Sequence, residues 1–77
     1  MTGQNSNYVL LFKAVSYVLK AEKILKQEGL PYKLIPVPKQ ISSDCGVCLL
    51  VHMDVKDKIV DSLQGEVDIE NIRKLAD

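Results

Sequence analysis

The sequence predicts an α+β domain of the ferredoxin-like kind: β-α-β-β-α with a short terminal element, one three- or four-stranded sheet, and helices on a single face. Three observations carry this. Residues 8–12 (Tyr-Val-Leu-Leu-Phe) form a continuous apolar run, as expected of a strand buried on both faces. From Val15 to Glu28 the apolar residues change to a helical period. Two further β-type runs then follow one another, and a second helical pattern comes after them.

The chain of 77 residues has room for one domain, residues 1–77, with the polar stretch 1–7 read as a frayed terminus. Hydrophobic residues make up 47%, with one Phe, three Tyr and no Trp, so the core must be aliphatic. Ten basic residues balance ten acidic ones, which leaves no overall electrostatic pull towards nucleic acid or an anionic membrane. A neutral surface instead permits self-association, so a homodimer is open. Two cysteines only two residues apart do not make a secreted disulfide framework. The first apolar run is too short to span a bilayer and no leader pattern precedes it, so the expected setting is the reducing cytoplasm.

Within the first helix, Val18, Ala21, Ile24, Leu25 and Glu28 share one side, with Val15 and Leu19 on its margins. Glu22 and Lys26 form a favourably ordered i, i+4 pair on the wet side. Gly29 is placed to end the helix in the left-handed conformation, and Pro31 prevents its resumption. Residues 32–37 make the second strand. Pro36 and Pro38 remove ladder donors, so this strand belongs at an edge. Residues 38–44 (Pro-Lys-Gln-Ile-Ser-Ser-Asp) read as a loop. Residues 47–53 make the third strand, with Val47, Leu49, Val51 and Met53 on one face and Cys48, Leu50 and His52 on the other. Asp54 is the expected N-cap of a second helix bearing Val55, Ile59, Val60 and Leu63, which Gln64 and Gly65 end. The tail can be a short strand over residues 66–69. It can equally be a helix capped by Asp68, with Ile69, Ile72, Leu75 and Ala76 in line; the helix is favoured.

The chemistry concentrates at Cys45-Gly46-Val47-Cys48. Two thiols at this spacing can share nucleophilic chemistry, one attacking and one resolving. They can also bind a soft metal, or simply pack as small hydrophobes. Cys45, at the loop-to-strand junction, is the better nucleophile; Cys48, on a face that could be open, is the candidate resolving thiol. Gly46 gives the backbone freedom to turn and leaves room for a partner. Lys39 would favour a thiolate and Asp44 would oppose one. A thioredoxin-type site does not fit, because the residues after the pair propose a strand and not a helix N-terminus. Two cysteines and His52 fall short of a closed zinc site unless a dimer supplies more, and His52 reads as a surface or interface residue. No cofactor, metal, phosphate-cradling loop or catalytic serine arrangement is called for.

Three segments in order, residues 20–26 (Lys-Ala-Glu-Lys-Ile-Leu-Lys), 33–38 (Lys-Leu-Ile-Pro-Val-Pro) and 41–46 (Ile-Ser-Ser-Asp-Cys-Gly), resemble a family of small bacterial selenium/sulfur carrier-like proteins. The proline-rich strand end followed by Ser-Ser-x-Cys-Gly is its most specific part. The resemblance implies a cytoplasmic carrier holding sulfur or selenium on Cys45 as a persulfide or selenosulfide. Ser42, Ser43 and Gly46 would support that cargo, Cys48 would act as a relay thiol, and donor and acceptor proteins would be the partners. Such a protein is a stoichiometric carrier more than a turnover enzyme. The reading from another class is a non-catalytic, dimerising interaction module with Cys48, Leu50 and His52 in its interface.

Overall fold

The computed structural model describes residues 7–41 and 46–75. Its elements are β1 (Asn7–Leu11), α1 (Val15–Glu28), β2 (Lys33–Pro36), β3 (Val47–His52), α2 (Met53–Leu63) and β4 (Asn71–Leu75). The four strands form one sheet in the order β2-β3-β1-β4, and every adjacent pair is antiparallel. Both β1 and β2 oppose β3, so they run the same way with β3 between them. A crossover between parallel strands can join direct or once-removed neighbours; here they are once removed, which matches the ferredoxin-like expectation. The first and third strands are central, as their apolar content demands.

Register assigns the faces. Tyr8 opposes Val51 and Leu10 opposes Leu49 on the helix side, while Val9 opposes Leu50 on the outer side. Leu10, Phe12, Leu49 and Val51 meet Val18, Ala21 and Leu25 of α1 and Ile59 and Leu63 of α2 in the main core, which Val67 closes. Each fully buried Leu, Ile or Phe here stabilises the fold by roughly 1.5–3 kcal/mol. Val15 and Leu19 stay about half exposed, at the margin of the helical stripe.

Helix α1 has the expected ends. Gly29 takes φ +71°, its N–H donates to the Lys26 carbonyl at 3.2 Å, and the Leu30 N–H donates to Leu25 at 3.0 Å. The pair of bonds is a Schellman motif, and Leu30 packs onto the core that holds Leu25. Glu22 and Lys26 lie 3.9 Å apart. Tyr32, at the entrance to β2, donates its hydroxyl to Glu22. Burial, that hydrogen bond and the nearby negative charge push its pKa up to about 12. Strand β2 lies at the sheet edge, as its prolines require.

Two expectations change. β3 runs into α2 without a loop, so the N-cap is His52 and not Asp54; the His52 Nδ1 accepts the Asp54 N–H at 3.1 Å. The tail is a strand, not a helix, and it begins at Asn71. β1 is apolar on both faces and has two edges; with β3 on one, its other row of backbone groups needs a partner. The Glu70 N–H reaches the Leu11 carbonyl at 2.7 Å and leads the chain into that ladder. Ile69 packs on the main core and Ile72 stays exposed, so their spacing does not reflect a helical face. Among the described residues, no helix is long and apolar enough to cross a membrane.

Candidate functional site

The candidate site is the end of the β2–β3 hairpin. Pro36 opposes Val47 as the last ladder pair. One step beyond, the Val37 N–H donates to the Gly46 carbonyl at 3.1 Å and closes the root of the loop. The chain then turns: the Ile41 N–H donates to the Pro38 carbonyl at 3.0 Å, with Lys39 and Gln40 at the corners. Lys39 is exposed. Ile41 folds back onto the outer sheet face, 7% exposed, in a second cluster with Val9, Leu11 and Cys48. A polar loop thus spends its one aliphatic side chain on the sheet.

Ser42, Ser43, Asp44 and Cys45 lie outside the described residues. The residues on either side of them are fixed: Ile41 is seated on the sheet and Gly46 is bonded to Val37. The Ser-Ser-Asp-Cys segment therefore links two anchored points. Gly46 itself is exposed, and a Cβ added to it would meet nothing within 4 Å. Its φ is not in the left-handed region, where only Gly29 and Gly65 lie among the described glycines. Backbone freedom is therefore not what this position requires of glycine; open space on its surface is what it offers.

Cys48 occupies a different environment. It opposes Ile35 in the β2–β3 register and is 0% exposed, packed in the cluster with Val9, Leu11 and Ile41, with Ile35, Val37 and Leu50 around it. The sequence places it on the outer face correctly, but that face is covered at this point and not open. The hint was Ile41, an apolar residue in an otherwise polar loop. Cys48 is likewise not presented as a surface interface residue in the way the dimerising module requires, whereas His52 is exposed.

Distances along β3 constrain the chemistry further. Cys48 and His52 are four strand positions apart, about 13 Å, too far to share one metal ion within a chain. Among the described residues, no three His, Cys, Asp or Glu side chains gather as metal ligands.

A sequence model of the family described as putative Se/S carrier protein-like matches residues 7–74. The matched span takes in every element from the first residue of β1 to the penultimate residue of β4, along with the whole hairpin loop. Searches of curated proteins and of solved structures gave no match. On the strength of that nearly full-length match, the chain belongs to the Se/S carrier protein-like family.

Proposed function

We propose that the protein carries sulfane sulfur or selenium on Cys45. The observation that supports this is the family match across the whole fold. The two residues that flank the Ser42–Cys45 stretch belong to the folded body, Ile41 seated on the sheet and Gly46 bonded to Val37. In the transfer, the Cys45 thiolate attacks the outer sulfur of a donor protein's persulfide. A new bond forms to Cys45 Sγ, the donor's sulfur–sulfur bond breaks, and the donor leaves as a thiolate. The Ser42 and Ser43 hydroxyls can donate to the terminal sulfur anion, and the exposed Lys39 supplies positive charge on the same loop. Gly46 leaves a side-chain-free approach for donor and acceptor.

Cys48 serves release. With Ile41 lifted, the Cys48 thiol attacks Cys45 Sγ, expels the outer sulfur as hydrosulfide and leaves a Cys45–Cys48 disulfide. A dithiol reductant then returns the pair to thiols. The burial of Cys48 makes this step conditional on opening, so cargo is held until an acceptor disturbs the loop.

The test is loading from a cysteine desulfurase, read by intact mass with and without dithiol. Wild type should gain one sulfur atom, Cys45→Ser none, and Cys48→Ser should load but release hydrosulfide slowly. Loading that survives Cys45→Ser, or a wild type that takes up nothing, overturns the assignment.

A further inference from the structure

The neutral net charge of the chain hides a division. Residues 13–39 carry six lysines against two glutamates, an excess of four, or of three with Asp44 counted in. Residues 54–70 carry six acidic residues against two lysines. The first segment holds α1 and β2, and the Tyr32–Glu22 bond sets α1 towards the β2 edge. The second holds α2, which lies towards the β4 edge, where Val60 and Ile72 line one groove. All six lysines of the first segment are exposed. Glu22 offsets Lys26 at 3.9 Å, whereas Lys13, Lys20, Lys23, Lys33 and Lys39 have no ion pair among the described residues. Glu28 sits in the last turn of α1, at the end away from the hairpin loop. One flank of the domain is basic and the other acidic.

On the basic flank an apolar strip runs towards that loop. Val15, Leu19 and Glu22 repeat at four and three residues, so they share one side of α1. Tyr32 donates to Glu22, which sets that side against β2. Leu34 opposes Leu49 and Pro36 opposes Val47, so both belong to the helix-facing side of β2. β1 and β2 run the same way and α1 returns between them, so α1 is antiparallel to β2. From Tyr32 to Pro36 the strand advances about 13 Å, and from Glu22 back to Val15 the helix covers about 10 Å. Both rows therefore end beside the Val37–Gly46 root of the loop whose sequence contains Cys45. Val15, Leu19 and Leu34 are 49%, 54% and 43% exposed, three of the six large apolar residues left exposed among the described ones. Pro36 is exposed as well.

The strip does not invite an added strand. The Val37 N–H points at β3, so by alternation Pro36 faces outward, where it has no N–H to offer. An occupant must meet the strip through side chains. A second copy pairing face to face would set one lysine-rich flank against another. Aliphatic side chains ringed by carboxylates meet both requirements.

We infer that the Val15–Leu19–Leu34 strip is the docking surface for the persulfide donor, a protein that presents aliphatic side chains ringed by carboxylates. The inference rests on the carrier reading, because a donor seated on the strip lies against the root of the thiol loop.

The experiment titrates the full-length Cys45→Ser protein with each purified cysteine desulfurase encoded in the same genome. Binding is followed by calorimetry and by amide NMR shifts. A desulfurase should bind, move the amides of residues 15–23 and 32–37, and weaken as salt rises. Leu19→Asp with Leu34→Asp should weaken it about tenfold or more, and Lys13→Glu with Lys23→Glu should do the same. Ile72→Asp, on the acidic flank, should leave it unchanged. With Cys45 in place, Leu19→Asp with Leu34→Asp should raise the KM for the desulfurase and keep normal loading from inorganic polysulfide. Absence of binding, shifts confined to other residues, undiminished affinity of either double variant, or self-association of the chain through the strip overturns the inference. Loading without strip binding overturns the docking surface alone; strip binding without loading from either donor overturns the carrier reading alone.

Discussion

The Val37 N–H reaches the Gly46 carbonyl at 3.1 Å, one step past the last ladder pair, and this bond sets where the hairpin stops and the loop begins. Val37→Pro removes the donor. It should lower stability by about 1 kcal/mol and raise the alkylation rate of Cys48 in the folded protein, measured by mass spectrometry. A stability loss without faster Cys48 labelling would mean that the root of the hairpin does not control access to it.

Ile41 covers the outer-face cluster that includes Cys48. Ile41→Ala should lower stability by about 2 kcal/mol and speed Cys48 alkylation about tenfold or more. Labelling of Cys45 in the same sample should change little. Peptide mapping after a short pulse of iodoacetamide separates the two sites.

Gly29 and Gly46 should answer an alanine differently. Gly29 sits at φ +71° in the helix cap, so Gly29→Ala should cost about 1 kcal/mol by thermal unfolding. At Gly46 a Cβ meets open space at an ordinary φ, and Gly46→Ala should leave the midpoint unchanged. Loading of that variant should slow with a protein donor and stay normal with inorganic polysulfide. Equal slowing with both donors would remove Gly46 from partner approach.

Tyr32 ties β2 to α1 through Glu22, and its pKa stands at about 12 against an ordinary 10.0. The folded state thus holds the proton more tightly than the unfolded state. The resulting stability is fully present below about pH 10 and is lost as pH rises towards 12. Tyr32→Phe should remove the highest-pH step of the tyrosinate absorbance titration and flatten the fall in thermal midpoint over that interval. Glu22→Gln should move the same step to lower pH.

Much of this architecture is legible in the sequence, and the failures share a cause. Helix α1 needs only its own periodicity and the Gly29 stop, and β2 declares itself an edge through Pro36 and Pro38. Both signals are local. The tail misleads because Ile69, Ile72 and Leu75 fit a helical spacing, while what decides their structure is the second edge of β1, some sixty residues away in sequence. His52 replaces Asp54 as the cap because strand and helix abut, which residue preferences do not reveal. At the candidate site, the outer-face position of Cys48 follows from strand alternation. Its closure follows only from Ile41 folding back, a contact made across the sheet.

The edge position of β2 has one more consequence. Four residues long and hemmed by prolines, it binds the sheet only through β3, whereas β3 is also held by β1 and by both helices. The hairpin arm can therefore detach as a sub-global unit while the main core stays closed. Amides of β3 that bond to β2 should exchange with deuterium through a smaller opening than those that bond to β1. The buried thiol then becomes reachable at a free energy below that of global unfolding, a threshold set by one short strand.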